Sequence, residues 1–341
     1  MRDWKDNMND IVVTVFCLTY NHEKYISRTL EGFVSQKTNF KFEVLVHDDA
    51  STDGTAGIVR SYEEKYPDII RGIYQTENQY SKRIGITTNF ITPNVRGKYV
   101  AMCEGDDYWM DEYKLQKQFD AMEENPECCM CVHKTMEIYE SGEETGKIFP
   151  DVQIGTGIVA QRDFLELCRS YSFHTSSYMF RADEWKKYTL EPPAFRSACR
   201  VGDETYMLYF GQLAPVYFIS ETMSAYRRGV ASSWTQQQAN NKTPEQIARH
   251  PIEMVNTFRL FDEYTSFKYH DIMVKRSAPH KMKIAVLTKS AADMFKKENR
   301  EYLAILSLSK KAMLLSAVIF PRLIIKGYMK RLSKLHRKKG Y

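Results

Sequence analysis

Between Ile11 and Met122, short apolar runs alternate with stretches of helical period, and this alternation leaves few folds open to the 341-residue chain. Ile11 to Leu18 (IVVTVFCL) is almost continuously apolar, the pattern of a strand buried on both faces. Ile26, Leu30, Phe33 and Val34 then recur at the spacing of one helical face. Phe42 to Val46 predicts a second strand, ending in the turn cluster HDDASTDGT, with Asp53 as N-cap of a helix that carries Ile58, Val59, Tyr62 and Tyr66 and stops at Pro67. Ile69 to Tyr74 is a third strand, Ile84 to Ile91 a helix, Tyr99 to Met102 a fourth strand, and Leu115, Phe119 and Met122 mark another helix.

Strand and helix repeated in this way imply a mainly parallel sheet with helices on both faces. Ligands of such sheets bind beyond the carboxyl ends of the strands. Three polar clusters fall at those ends: Thr19-Tyr20-Asn21, Asp48-Asp49, and the carboxylates of Glu104 to Asp107. They are far apart in sequence, but this topology gathers them on one edge.

The third cluster lies in CEGDDYW, where Glu104, Asp106 and Asp107 crowd three negative charges into four positions. Ionising them together is costly without a cation between them. Carboxylate oxygens are hard ligands suited to Mn²⁺ or Mg²⁺, and two or three of them leave coordination positions for water and a diphosphate. The competing interpretation is an acidic turn at the head of the next helix, where Asp111 and Glu112 also lie.

The other candidates are individually ambiguous. Asp49 is placed either to accept from a base or ribose or to serve its own turn. Asp203, in Gly202-Asp203-Glu204, is either a general base or a helix cap. Arg227 and Arg228 suit a diphosphate or a surface basic turn. Trp109 and Trp234 are sugar platforms or edge-of-core residues. No G-x-G-x-x-G and no G-x-x-x-x-G-K-[ST] occurs.

After Pro126 the pattern is mixed. Strands are expected at Cys128 to Thr135, Glu137 to Tyr139, Ser176 to Arg181 and Val216 to Ile219, with helices at Asp163 to Ser170 and Asp203 to Gly211. From about Thr243 the chain reads as helical. The polar segment TQQQANNK sets the expected boundary, dividing residues 1–235 from 236–341.

Seven scattered cysteines argue for a reducing compartment, and Cys128 and Cys131 read as small buried apolar residues rather than a metal site. The polar N-terminus has no apolar signal core, so a cytoplasmic location is expected. From Arg322 to Tyr341 there are eight Lys or Arg and no Asp or Glu, so the remaining 40 basic and 43 acidic residues leave the body at −3. The apolar stretch Ala312 to Tyr328, broken by Pro321 and followed by cations, either docks on the core or lies on the inner face of an anionic membrane. Nucleic acid is not expected as a partner.

Taken together, VTVFCLTYNHEKYISRTLEGFVSQ, FEVLVHDDASTDGT, GKYVAMCEGDDYWMDEYKLQKQ, FHTSSYMFR and VGDETYMLYFGQLAPVYFISETMSAYRRG resemble the inverting glycosyltransferases of family 2, from about residue 10 to 235. The resemblance implies the GT-A form of this α/β fold, followed by a C-terminal helical region. It implies a nucleotide-sugar donor, usually a UDP-sugar, a divalent cation, and a glycan or lipid-linked acceptor in surface polysaccharide synthesis. By the family's motifs, Thr19 to Asn21 line the nucleotide pocket and Asp49 meets the uracil. Asp106 and Asp107 supply ribose and metal contacts, and Glu104 stands where relatives often carry Asp. His174, Thr175 and Ser176 lie near donor sugar or acceptor, and Asp203 is the base. Where relatives often read Y-R-x-H, this chain has Tyr226-Arg227-Arg228-Gly229. The alternatives are a nucleotidyltransferase, disfavoured by TYNHEKY after the first strand, and a non-catalytic nucleotide- or sugar-binding module.

Overall fold

The computed structural model describes residues 10–168, 173–199, 202–230 and 243–338. They fall into two compact units: one runs to Pro192 and takes in Tyr209–Val230, and the other takes Pro193–Leu208 and the chain after Val230.

The first unit opens as the alternation predicts: β1 (Val13–Thr19), α1 (Ile26–Val34), β2 (Phe42–Asp48), α2 (Thr55–Lys65), β3 (Ile70–Tyr74) and β4 (Tyr99–Met102). There follow β5 (Tyr108–Trp109), α3 (Lys114–Glu124), β6 (Met130–Tyr139), β7 (Glu144–Phe149), β8 (Gly157–Val159), α4 (Gln161–Leu167), β9 (Met179–Arg181) and α5 (Ala182–Leu190). After α6 (Ala194–Ala198) and α7 (Gly202–Leu213), β10 (Val216–Arg228) returns to the sheet. The strand order is β3-β2-β1-β4-β9-β6-β10-β5, with β7 on β6 and β8 on β10. β1 to β4 pair in parallel, whereas β9 runs antiparallel to β4 and β6. Val13, Val15, Val44, Val46, Tyr99 and Ala101 face one core with Leu30 and Phe33 of α1, and the alternate residues Thr14, Phe16, Leu45 and Val100 are buried on the other side, as expected of strands covered on both faces.

Several elements differ from the sequence expectation. The two strands predicted between Cys128 and Tyr139 are one, β6, because its ladder with β10 continues past the polar Lys134. β10 runs nine residues beyond the expected end at Ile219: register shifts between Ile219 and Ser224 accommodate the polar Ser220-Glu221-Thr222, and pairing then resumes to Arg228. Tyr226-Arg227-Arg228 is therefore strand, not a surface turn. The helix expected at Ile84–Ile91 is a π-helical turn, Thr87–Ile91, followed by a 3-10 turn, Thr92–Asn94. Ser176 sits in a 3-10 turn, Thr175–Ser177, ahead of the short β9.

The second unit is helical: α8 (Pro244–Tyr264), α9 (His270–Leu287), α10 (Arg300–Ala304), α11 (Leu308–Ile319) and α12 (Pro321–Lys338). Thr243 and Gln246 close a capping box on α8. Phe195 of α6 meets Phe261 and Tyr264 of α8 edge-on. Arg276 of α9 pairs with Glu204 of α7, both buried.

Candidate active site

The carboxyl ends of β1, β2 and β4 lie side by side, with Thr19 opposite Asp48 and Phe16 opposite Met102. The acidic stretch leaves β4 at this edge and folds back into β5. One ligand oxygen from each of Glu104, Asp106 and Asp107 lies within 4.8 Å of the others. This is not the helix cap that the sequence left open. The carboxylate of Asp107 accepts from the backbone N–H of Arg227 on β10 at 2.8 Å, while Asp111 turns toward Tyr113 and Lys117.

Three contacts hold the turn. Gly105 donates its N–H to the carbonyl of Leu18, and a β-carbon there would lie 2.7 Å from Thr19 Oγ1 and 2.9 Å from His22 Nδ1, so only glycine fits. The buried hydroxyl of Thr29 on α1 bridges the carbonyls of Gly105 and Asp107 at 3.0 and 2.5 Å. Arg227 donates from Nε to the carbonyl of Asp106 at 3.1 Å and from Nη1 to that of Glu140 at 3.0 Å, with its guanidinium over the ring of Tyr25.

Burial pushes the Asp107 carboxyl well above the usual range; the charges of Asp106 and Glu104 add to this, and the N–H and charge of Arg227 oppose it. Asp107 is 1 % exposed, and Asp106 Oδ1 is buried with no hydrogen-bond partner. Buried carboxylate oxygens of this kind call for a cation, and the all-oxygen donor set fits Mg²⁺ or Mn²⁺. Thr19 Oγ1 and Thr175 Oγ1 are likewise buried without a hydrogen-bond partner.

His174 approaches Asp107 at 3.6 Å through Nε2, while its Nδ1 lies 2.9 Å from Ser176 Oγ. Burial pulls the imidazole down to about 3, so it is neutral at physiological pH. Ser176 itself is fully buried, its hydroxyl donating to Ser224, so it supports His174 from behind rather than facing a substrate. His22 reaches Asp106 at 3.9 Å from the other side.

On the β2 side, Asn21 takes the left-handed conformation (φ 55°), and its side chain accepts from the N–H of Thr52, tying the first loop to the second. Tyr20 is 37 % exposed beside it. The two carboxylate oxygens of Asp49 accept from the backbone N–H groups of Gln79 and Tyr80 at 2.7 and 3.0 Å, each keeping a lone pair for a further donor.

Two expectations need correction. Trp109 offers no ring face to a sugar: it is 2 % exposed, donates its indole N–H to the carbonyl of Ser176, and carries the Lys114 amine 4.0 Å above its ring. Arg228 does not share the site with Arg227. Neighbouring strand residues point to opposite faces, and Arg228 pairs with Glu137 at 3.5 Å. Trp234 lies outside the described residues. Asp203 heads α7 in the second unit; it is half-buried, and desolvation raises its carboxyl above the usual range. His22 and Thr29 were not singled out from the sequence. The signal for His22 was its place next to Asn21, whereas Thr29 looked like one polar residue on a helix.

The profile of the family described as Glycosyl transferase family 2 matches residues 14–233. An uncharacterized protein of Mycobacterium tuberculosis, Rv1520, is 40 % identical over 140 residues, 40 % of this chain and 39 % of its own length. The putative teichuronic acid biosynthesis glycosyltransferase TuaG of Bacillus subtilis is 33 % identical over 124 residues, 36 % of this chain and 45 % of its own. The chain thus matches about two fifths of the length of these relatives. Among solved structures, S. aureus TarS 1-349 in complex with UDP-GlcNAc shares the fold, with a TM-score of 0.52 at 15 % identity over 97 % of this chain and 93 % of that one.

Proposed function

The chain belongs to glycosyl transferase family 2, and on that footing we propose that it is an inverting, metal-dependent enzyme moving a sugar from a UDP-sugar to a hydroxyl of a glycan or lipid-linked acceptor in surface polysaccharide synthesis. The observation that carries this reading is the set of Glu104, Asp106 and Asp107 at the ligand-binding edge of the sheet, two of them buried, with Asp106 Oδ1 lacking a partner. The UDP-GlcNAc bound by TarS and the teichuronic acid role in the name of TuaG favour this donor and product class.

Asp106 and Asp107, with Glu104 as the longer third arm, are the proposed holders of Mn²⁺ or Mg²⁺. Such an ion, when bound, offsets the charge on a departing diphosphate. Thr19, Tyr20 and Asn21 line the nucleotide side, and the free lone pairs of Asp49 suit the N–H of a uracil. The guanidinium of Arg227 adds a fixed positive charge next to the carboxylates. His174 and Thr175 stand toward the sugar.

Asp203 is the proposed base that takes the proton of the acceptor hydroxyl for in-line attack at the anomeric carbon. Desolvation raises its carboxyl above the usual range, which makes it a stronger base than an exposed aspartate. Asp203→Asn is expected to lower kcat by about 10²- to 10⁴-fold and leave the affinity for UDP unchanged. Unchanged turnover in that variant would remove Asp203 from the mechanism, and absence of any transfer by the wild type would favour a binding module.

A further inference from the structure

The face of α11 that its own unit leaves uncovered is apolar. Leu314 and Ala317 are buried and, with Met313, pack into a core of Ala278, Met282, Val286 and Met294. On the opposite side, at about 100° per residue, Leu308, Leu315 and Ile319 fall within an arc of about 40°. They are 85 %, 53 % and 67 % exposed. Phe320, at the turn into α12, and Leu323, one turn further, are 59 % and 67 % exposed and extend the ridge. A contiguous exposed apolar patch of this kind marks an interaction surface.

Charge decides what covers it. From Tyr302 onward the sequence contains no Asp or Glu. On α12, Lys326 and Lys330 fall within about 60° of Leu323 and Arg322 flanks it, and all three are exposed. On α12, Lys326 lies at i+3 from Leu323 on the outer face, while Ile325 is buried on the inner one. A second copy of this chain would set cations against cations, and a nucleic acid has no use for the ridge. An anionic bilayer takes both features: headgroups meet the cations, and the apolar side chains enter the acyl boundary.

We propose that the turn between α11 and α12 is a docking surface for anionic lipid. It lies on the bilayer instead of spanning it, since no described helix is long and apolar enough to cross a membrane. The inference goes beyond the donor chemistry and does not depend on it.

The test is co-sedimentation of the full chain with vesicles of phosphatidylcholine alone or with about 30 % phosphatidylglycerol, at low and high salt. Binding is expected only to the anionic vesicles, and salt weakens it. Ile319→Ser with Leu323→Ser is expected to weaken binding roughly tenfold or more without changing the melting temperature or the affinity for UDP. Arg322→Gln with Lys326→Gln is expected to weaken it and flatten its salt dependence. No binding to anionic vesicles overturns the proposal, as does equal binding to neutral ones or binding that the serine pair leaves intact. Light scattering that shows self-association abolished by the serine pair also overturns it, in favour of a second copy.

Discussion

Replacing Asp107 with Asn separates what the acidic cluster does for stability from what it does for function. Each pair of carboxylates in it, with oxygens within 4.8 Å, repels by about 3 kcal/mol at an effective dielectric of about 20. Arg227 offsets part of this, yet Asp107 remains well above the ordinary carboxyl range. A carboxyl raised on folding stabilises the fold below its unfolded value and costs stability as the pH climbs through its folded one. Asparagine keeps an oxygen for the N–H of Arg227 and offers its amide to the neighbouring carboxylates. In EDTA at neutral pH, Asp107→Asn is therefore expected to be more stable than the wild type by about 1–3 kcal/mol, or about 2–6 °C in Tm. The gain shrinks toward pH 4. Manganese is expected to close or reverse the gap: at 100 times Kd it would add about 2.7 kcal/mol to the wild type and little to the variant. Differential scanning calorimetry with EDTA and with Mn²⁺ reads both effects. A variant that melts below the wild type in EDTA would refute the reasoning, because repulsion among the carboxylates would then not be what burdens the metal-free fold.

Gly105→Ala drives a β-carbon into Thr19 and His22; a loss of about 1–3 kcal/mol in thermal stability and roughly tenfold or more in UDP affinity is expected, the latter measured by calorimetry. Lys114 is fully buried, with its amine pulled down to about 7 by desolvation. Between pH 7 and about 10.4 the unfolded chain then holds a proton that the folded protein does not, so wild-type stability rises with pH across that window. The burden at pH 7 is roughly 4 kcal/mol, at about 1.36 kcal/mol per pH unit. Lys114→Met removes it but leaves Gln118 Oε1 without its donor, at a cost of about 1–3 kcal/mol. Denaturant titrations are expected to show the variant more stable at pH 7 and less stable at pH 10.5; a gap that does not change with pH counts against a neutral buried amine.

The parallel half of the sheet was legible because β1, β2 and β4 are buried on both faces and α1 has one apolar stripe, so pattern and environment agree. The edge that gathers Thr19, Asp49 and the acidic turn followed from topology alone. What the sequence hid lies where polar residues are buried. Ser220-Glu221-Thr222 looked like the end of a strand, but irregular pairing with β6 carries β10 on, and that continuation delivers Arg227 to Asp107. Thr29 reads as an ordinary helical residue until the turn it clamps arrives from 78 positions away. The sequence left Trp109 open between a sugar platform and a core residue because nothing local shows that a buried lysine covers its ring. Arg227 and Arg228 look equivalent in a string of letters, and strand alternation sends them to different partners.

The most direct test of the central claim is calorimetric titration of UDP into the full chain with and without Mn²⁺, repeated on Asp106→Ala. Asp106 carries the buried oxygen that lacks a partner, so the account predicts UDP binding that requires Mn²⁺ and is lost in the variant. UDP binding of equal strength in EDTA, or binding with Mn²⁺ that Asp106→Ala leaves unchanged, would contradict it.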